Sequence, residues 1–386
     1  MEIIPYGRQH IDNSDVAEVS KALKQNIIAS GPLVDRFERK IKLLTQSKFQ
    51  LACNSGTSGL LMAFMSINLD KNDTVICPSI NFTSTNNILK LLGSKVFLAD
   101  VDPITGQMTP ENLLECIKKN NITNIKAVVT MYLGGQPLNV VRFFQLKKKF
   151  NFILIEDACH AFGAEYKYDN KFIKIGSCKH SDICVFSLHP LKTITSGEGG
   201  VLTTNNKKIY EKCKLFRSHG IVRTKNHYNY NVISCGLNLR LSDINCALAI
   251  SQLKKIRFFL MKRKTIYQWY SQKLRKYDKF LFLPIHGTKV ISSNHLYQVN
   301  LKIKNLKICR DTLIKILLKK KIFAQIHYIP IYKHTNFLKL KKIFIKKSEQ
   351  FYNTTLSLPI FYSMNEKKVN YVVKCLSNIF KQYKKS

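Results

Sequence analysis

The feature that most constrains this chain is an alternation running from about residue 48 to 205. FQLACN, TVICPS, KVFLADV, IKAVVTMY, FILIEDA, DICVFS and GGVLTT are apolar runs of strand length. Between several of them, at Gly59–Ile67, Asn87–Leu92 and Val140–Phe150, apolar residues recur at helical spacing. Strands that are apolar throughout need cover on both faces, and intervening helices allow parallel crossovers. The pattern therefore predicts an α/β fold, a mainly parallel sheet flanked by helices.

Past residue 205 the pattern changes. A helical stretch from Leu241 to Tyr277 leads to strands around HLYQVNL and FAQIHY and to helices at Asp311–Lys320 and Lys367–Tyr383. This predicts a smaller α+β C-terminal domain, and 386 residues suffice for two such units. The boundary falls inside the long helix near residue 255. Residues 1–255 form the large domain with the N-terminal segment, and 256–386 the small one.

The formal net charge of +38 first suggests a polyanionic partner. Most of the 62 basic residues are lysines scattered through a chain also rich in Ile and Asn, with no concentrated stripe and no nucleic-acid-binding motif. A general drift of composition accounts for this better than a nucleic-acid interface. The eleven cysteines form no C-x-x-C pair, so neither a disulfide framework nor a metal is indicated. MEIIPYGRQHID lacks a charged start followed by an apolar core, and no run reaches eighteen apolar residues. A soluble, cytoplasmic protein is expected.

Ligands of such sheets sit beyond the carboxyl ends of the strands. There the sequence places Ser55-Gly56-Thr57-Ser58, Phe82, Asp157 and Ser187. CNSGTSGLLMAF reads as strand, tight turn and helix start, a site suited to one phosphate, with Gly56 allowing the turn and Thr57 and Ser58 supplying hydroxyls. Read alone, the same residues are a helix cap. Phe82 offers a ring for stacking or for packing. Asp157 ends an apolar strand where an unpaired carboxylate is costly, so it calls for a cation such as a pyridinium nitrogen, or for a capping role. His160 lies one turn onward, within reach of a ring hydroxyl, while read alone it is a core or capping histidine. Lys192, in FSLHPLKTITSGEGG, follows a strand end and precedes a glycine-rich turn. Read alone it is a solvated surface lysine, and beside these neighbours it is a partly desolvated amine able to attack a carbonyl.

Taken together, SGTS, PSINFTST, EDACHAFGAEY, FSLHPLKTITSGEGG and GLNLRLSDINCALAISQL resemble the DegT/DnrJ/EryC1 family of sugar aminotransferases, in the same order and over nearly the whole chain. The resemblance implies the type I pyridoxal-phosphate transferase (aspartate-aminotransferase-like) fold, pyridoxal 5'-phosphate as cofactor, and a homodimer with shared active sites. Lys192 would be the Schiff-base lysine, Asp157 the partner of the pyridine nitrogen and His160 the neighbour of the ring oxygen. Gly56, Thr57, Ser58 and Ser187 would hold the phosphate, with Phe82 against the ring. Asn238 would reach the neighbouring subunit's phosphate region, and Arg240 would support its loop.

A narrower likeness is to the branch of that family that aminates C4 of a UDP-linked 4-keto sugar, with L-glutamate as donor, on the route to pseudaminic acid of surface glycans. IPYGRQHID, IIASGP, LFRSHGI, SSNHLYQV and FAQIHYIPIY carry it. It implies that Tyr6, Asn26, Ile27, Ile28, Ala29, His327 and Tyr328 approach the sugar nucleotide. The chain departs from the family pattern at Cys159, at MYLGGQP and at Ala249, none of them a reacting group. An aminotransferase for another nucleotide-linked keto sugar, such as a dTDP-linked one, is the alternative. A dehydratase of the same fold would carry histidine in place of Lys192.

Overall fold

A computed structural model describes residues 3–223, 226, 228–285, 287–340 and 345–385. Helices α1 (Asn13–Leu23) and α2 (Pro32–Thr45) precede the first strand, β1 (Phe49–Cys53). Alternation follows: α3 (Gly56–Ser66), β2 (Thr74–Pro78), α4 (Ser84–Leu91), β3 (Lys95–Ala99), α5 (Pro110–Lys119), β4 (Ala127–Met131), α6 (Val140–Phe150) and β5 (Ile153–Asp157). A hairpin of β6 (Glu165–Tyr168) and β7 (Lys171–Lys174) then leads to β8 (Ile183–Ser187) and β9 (Gly200–Thr204).

Seven of these strands form one sheet in the order β1-β9-β8-β5-β4-β2-β3. All seven correspond to the predicted apolar runs. The sheet is parallel from β8 to β3, but β9 runs antiparallel to both β1 and β8. Successive side chains on a strand face opposite ways, and β8 shows the result. Its Val185 packs with Leu60 and Phe64 of α3 on one side, while Cys184 and Phe186 pack with Phe37 and Ile41 of α2 on the other. Phe37, Phe64 and Phe186 are almost fully buried, each contributing about 1.5–3 kcal/mol relative to exposure.

Helix α7 (Lys207–Arg217) and a short hairpin, β10 (Ile221–Arg223) with β11 (Tyr230–Val232), lead to α8 (Asp243–Lys254) and α9 (Ile256–Leu274). The long helix expected over Leu241–Tyr277 is thus two helices, parted at Lys255. There the Lys255 side chain turns inward to Asp15 Oδ2 at 2.7 Å and Asp12 Oδ2 at 2.9 Å.

Beyond it come β12 (Leu281–Phe282), β13 (Val290–Ile291), β14 (Tyr297–Leu301), α10 (Arg310–Lys319), α11 (Lys346–Thr354), β15 (Thr355–Leu358) and α12 (Glu366–Tyr383). Strands β12, β14 and β15 make a small antiparallel sheet around a second core that includes Tyr270, Tyr297, Leu313, Leu356, Leu376 and Phe380. Ile4, near the start of the chain, is buried in this second core and bridges Ile322. FAQIHY is not the strand its alternation suggested. Burial does alternate over residues 321–325, but pairing is confined to single bridges at Ile322 and Gln325.

Candidate active site

The topology brings the ends of β1, β2, β5 and β8 together at one edge of the sheet. The cavity there has a volume of about 690 Å³, within the range of small-molecule sites. Its wall includes Gly56, Thr57, Ser58, Phe82, Asp157, His160, Ser187 and Lys192 from the large sheet's side, with Tyr6, His327 and Tyr328 opposite.

The corner suited to an anion is the start of α3. Ser55 caps the helix, its hydroxyl accepting from the Ser58 N–H at 3.0 Å, and Thr57 Oγ1 lies 2.9 Å from Ser84 Oγ. First-turn N–H groups of a helix lack intrahelical partners and favour an anion. The turn also requires closeness. A Cβ on Gly56 would stand 3.1 Å from both Cys159 Sγ and Ser187 Cβ, and one on Gly200 would stand 2.3 Å from the Ser55 carbonyl oxygen.

Asp157, the last residue of β5, is buried, and its Oδ1 accepts from the Cys159 N–H at 3.2 Å. Burial raises its pKa, against the pull of Cys159 and of Lys192. A cation placed in the cavity would relieve that penalty. Lys192 lies half-buried on the loop between β8 and β9. Burial lowers the pKa of its amine, with Cys159 and Asp157 opposing and Arg263 adding to the shift.

His160 Nε2 lies 2.9 Å from the Tyr328 hydroxyl. Its ring is 4.2 Å from that of His295 and 6.3 Å from that of His327. Burial holds both His160 and His295 well below the ordinary imidazole value, and brings His327 down to about 3. All three are neutral at pH 7. His327 Nδ1 is 2.9 Å from Ser357 Oγ, its ring is 5.5 Å from that of Tyr6, and Phe82 lies 5.8 Å from the Tyr328 ring.

Not every expected residue reaches this cavity. Asn26, Ile27, Ile28 and Ala29 are exposed and lie outside its wall, with Ala29 bridging Ser242 and the Ile28 carbonyl accepting from the Asp243 N–H. Asn238 is likewise exposed and outside it, its carbonyl accepting from Asn54 Nδ2 at 3.4 Å, and Arg240 is half-buried. In the other direction, His295, His189 and Glu198 line the cavity without having been singled out. His295 sits inside SSNHLYQV, yet nothing local marks it. It arrives through the Ser293 hydroxyl, which donates to the His160 carbonyl at 2.6 Å.

These residues fit pyridoxal phosphate. A helix start cleared by two glycines suits its phosphate, the buried Asp157 carboxyl suits a protonated ring nitrogen, and a desolvated lysine suits its aldehyde. Fold and site together define an aminotransferase-type enzyme. The chain belongs to the DegT/DnrJ/EryC1/StrS aminotransferase family, whose model matches residues 9–377.

Among its relatives is the UDP-4-amino-4,6-dideoxy-N-acetyl-beta-L-altrosamine transaminase of Campylobacter jejuni subsp. jejuni serotype O:23/36 (strain 81-176). It is 36% identical over 384 residues, 99% of each chain. Helicobacter pylori PseC, an aminotransferase involved in the biosynthesis of pseudoaminic acid, superposes with a TM-score of 0.89 at 30% identity, over 99% of this chain and 100% of that one. A putative sugar aminotransferase of Streptococcus pneumoniae in its PLP form shares the fold, with a TM-score of 0.89 at 23% identity over 99% of both chains.

Proposed function

We propose that this chain transfers the amino group of L-glutamate to C4 of a UDP-linked 4-keto-6-deoxy-N-acetylhexosamine. The product would be UDP-4-amino-4,6-dideoxy-N-acetyl-beta-L-altrosamine, for pseudaminic acid. The observation that carries the chemistry is the convergence of Lys192, Asp157 and the α3 start on one cavity. The sugar is supported by the full-length likeness to the Campylobacter transaminase.

Bound pyridoxal phosphate supplies an aldehyde for exchange of amines and a ring able to take up an electron pair. Lys192 Nζ, its pKa lowered by burial, is the amine that anchors it and the base that moves the proton at the donor's α-carbon. Asp157 holds the proton on the ring nitrogen. Thr57, Ser58 and Ser187 hold the phosphate and so fix the orientation of the reacting bond. Tyr6, His327 and Tyr328 face the sugar, and a neutral His327 is suited to hydrogen bonding with its hydroxyl and carbonyl groups.

A second copy of the chain completes the site in this reading. Ile27, Ile28, Val232, Ile233 and Leu237 are 44–57% exposed, apolar surface that suits a protein partner. Asn238 and the segment Asn26–Ala29 lie with these residues, and would serve the partner's cavity. Incubation with pyridoxal phosphate, L-glutamate and the UDP-linked 4-keto sugar, followed by NMR of the product, tests the proposal. Amination of a dTDP-linked keto sugar in preference would replace the substrate, and amination of none would overturn the activity.

A further inference from the structure

Arg263, in α9, is 3% exposed. Among the described residues arginine forms ion pairs at Arg142–Glu111, Arg217–Glu38 and Arg310–Asp311, and Arg263 is in none of them. Its Nη1 instead donates to three backbone carbonyls, of His295 at 3.2 Å, Ile360 at 3.3 Å and Asn294 at 3.5 Å. A guanidinium stays protonated at neutral pH even with burial drawing it to about 10. A buried cation without a counter-ion is costly, so its position asks for a use.

Two contacts indicate the use. Arg263 borders a narrow crevice together with Lys192, Thr193 and Thr195, and Lys192 lines the main cavity as well. The His295 carbonyl that it holds belongs to the residue whose ring lies 4.2 Å from His160. We propose that Arg263 is a positioning residue for the reacting lysine: it clamps the His295 loop against His160 and sets a fixed positive charge behind Lys192. The inference rests on Lys192 being the lysine that reacts.

The charge acts in a defined direction. A neighbouring cation disfavours the ammonium form and so favours the amine that attacks a carbonyl, as in lysines activated by a second cationic group. Burial works the same way on Lys192, while Asp157 and Cys159 oppose it. His160, His295, His327 and His189 all have lowered pKa values, so at neutral pH these imidazoles add little charge of their own. Glu198 also lines the main cavity but is exposed, so solvent screens its charge.

The test is pH-dependent competitive labelling of lysine amines in the cofactor-free full chain, read residue by residue by peptide mass spectrometry. Arg263→Gln keeps an N–H donor for the carbonyls but removes the charge, and Arg263→Lys keeps the charge. In the unsubstituted protein the labelling midpoint of Lys192 should lie below that of the surface residue Lys276. Arg263→Gln should raise it by about one pH unit, leaving the amine about tenfold less reactive at neutral pH, and Arg263→Lys should leave it near its original value.

The inference is overturned if Lys192 titrates with Lys276 in the unsubstituted protein, if Arg263→Gln leaves the midpoint unmoved, or if Arg263→Lys raises it. Should Arg263→Gln fail to fold, the other two comparisons still decide. Borohydride reduction of the loaded protein, followed by peptide mapping, keeps the two claims apart. A phosphopyridoxyl group on another lysine would overturn the assignment of Lys192 itself.

Discussion

Gly200→Ala is the sharpest test of how the fold builds the cofactor site. Gly200 opens β9, the antiparallel strand between β1 and β8, and lies across from Cys53 and Ser187. Its φ is not in the left-handed region, so the constraint is space. An added Cβ would sit 2.3 Å from the Ser55 carbonyl oxygen, 1.1 Å inside the 3.4 Å at which ordinary contact begins, and 2.8 Å from the Gly56 N. Both neighbours are backbone and cannot rotate away, so the strand or the turn must move. Overpacking of this kind costs about 1–3 kcal/mol. Because the displaced atoms form the phosphate corner, much of that cost should fall on cofactor binding, about 2 kcal/mol or roughly thirtyfold in Kd. Titration of pyridoxal phosphate by absorbance and fluorescence, with thermal melting alongside, measures both effects. A variant with unchanged Kd and Tm would refute the claim that the β9–turn contact shapes the site.

Other substitutions probe separate links. Lys192→Arg should remove the covalent attachment of the cofactor and lower turnover by about a thousandfold or more, checked by borohydride trapping and steady-state rates. His327 has a folded pKa of about 3 against an ordinary 6.5, so as pH falls the unfolded chain binds its proton first. Its stabilising contribution is complete above about pH 6.5 and is lost toward pH 3, at about 1.4 kcal/mol per pH unit inside that window. His327→Gln should flatten that part of the curve in denaturant titrations between pH 6 and 4, and an unchanged slope would count against a neutral, buried His327. Ile233→Asp, at a residue 56% exposed, should shift the protein toward monomer in light scattering while leaving its melting little changed, since one protomer does not bury that residue.

The seven strands of the large sheet were legible because an apolar run bounded by turn residues has one common use in a globular chain of this size. Val140–Phe150 was readable to its ends, with asparagines in left-handed conformation on both sides. Less legible were features that depend on direction or on distant partners. GGVLTT reads as the same apolar run whichever way it crosses the sheet. The break at Lys255 depends on Asp12 and Asp15, some 240 residues earlier. FAQIHY has the alternation of a strand but little beside it to pair with.

What the sequence determined by itself was the fold class and which residues stand at the strand ends that border the cavity. Strand ends are fixed by local pattern, and in an α/β sheet those ends are where chemistry gathers. Lys192, Asp157 and the Ser55–Ser58 turn could therefore be named before they were seen together. Only the tertiary structure decided their electrostatic state and their company. Burial that lowers Lys192 and raises Asp157, the neutral His160–His295–His327 group and the charge of Arg263, which is in no ion pair among the described residues, all arise where separate segments between residues 157 and 327 pack together. Local sequence carries no record of that desolvation, because it belongs to the assembled cavity and not to any one segment.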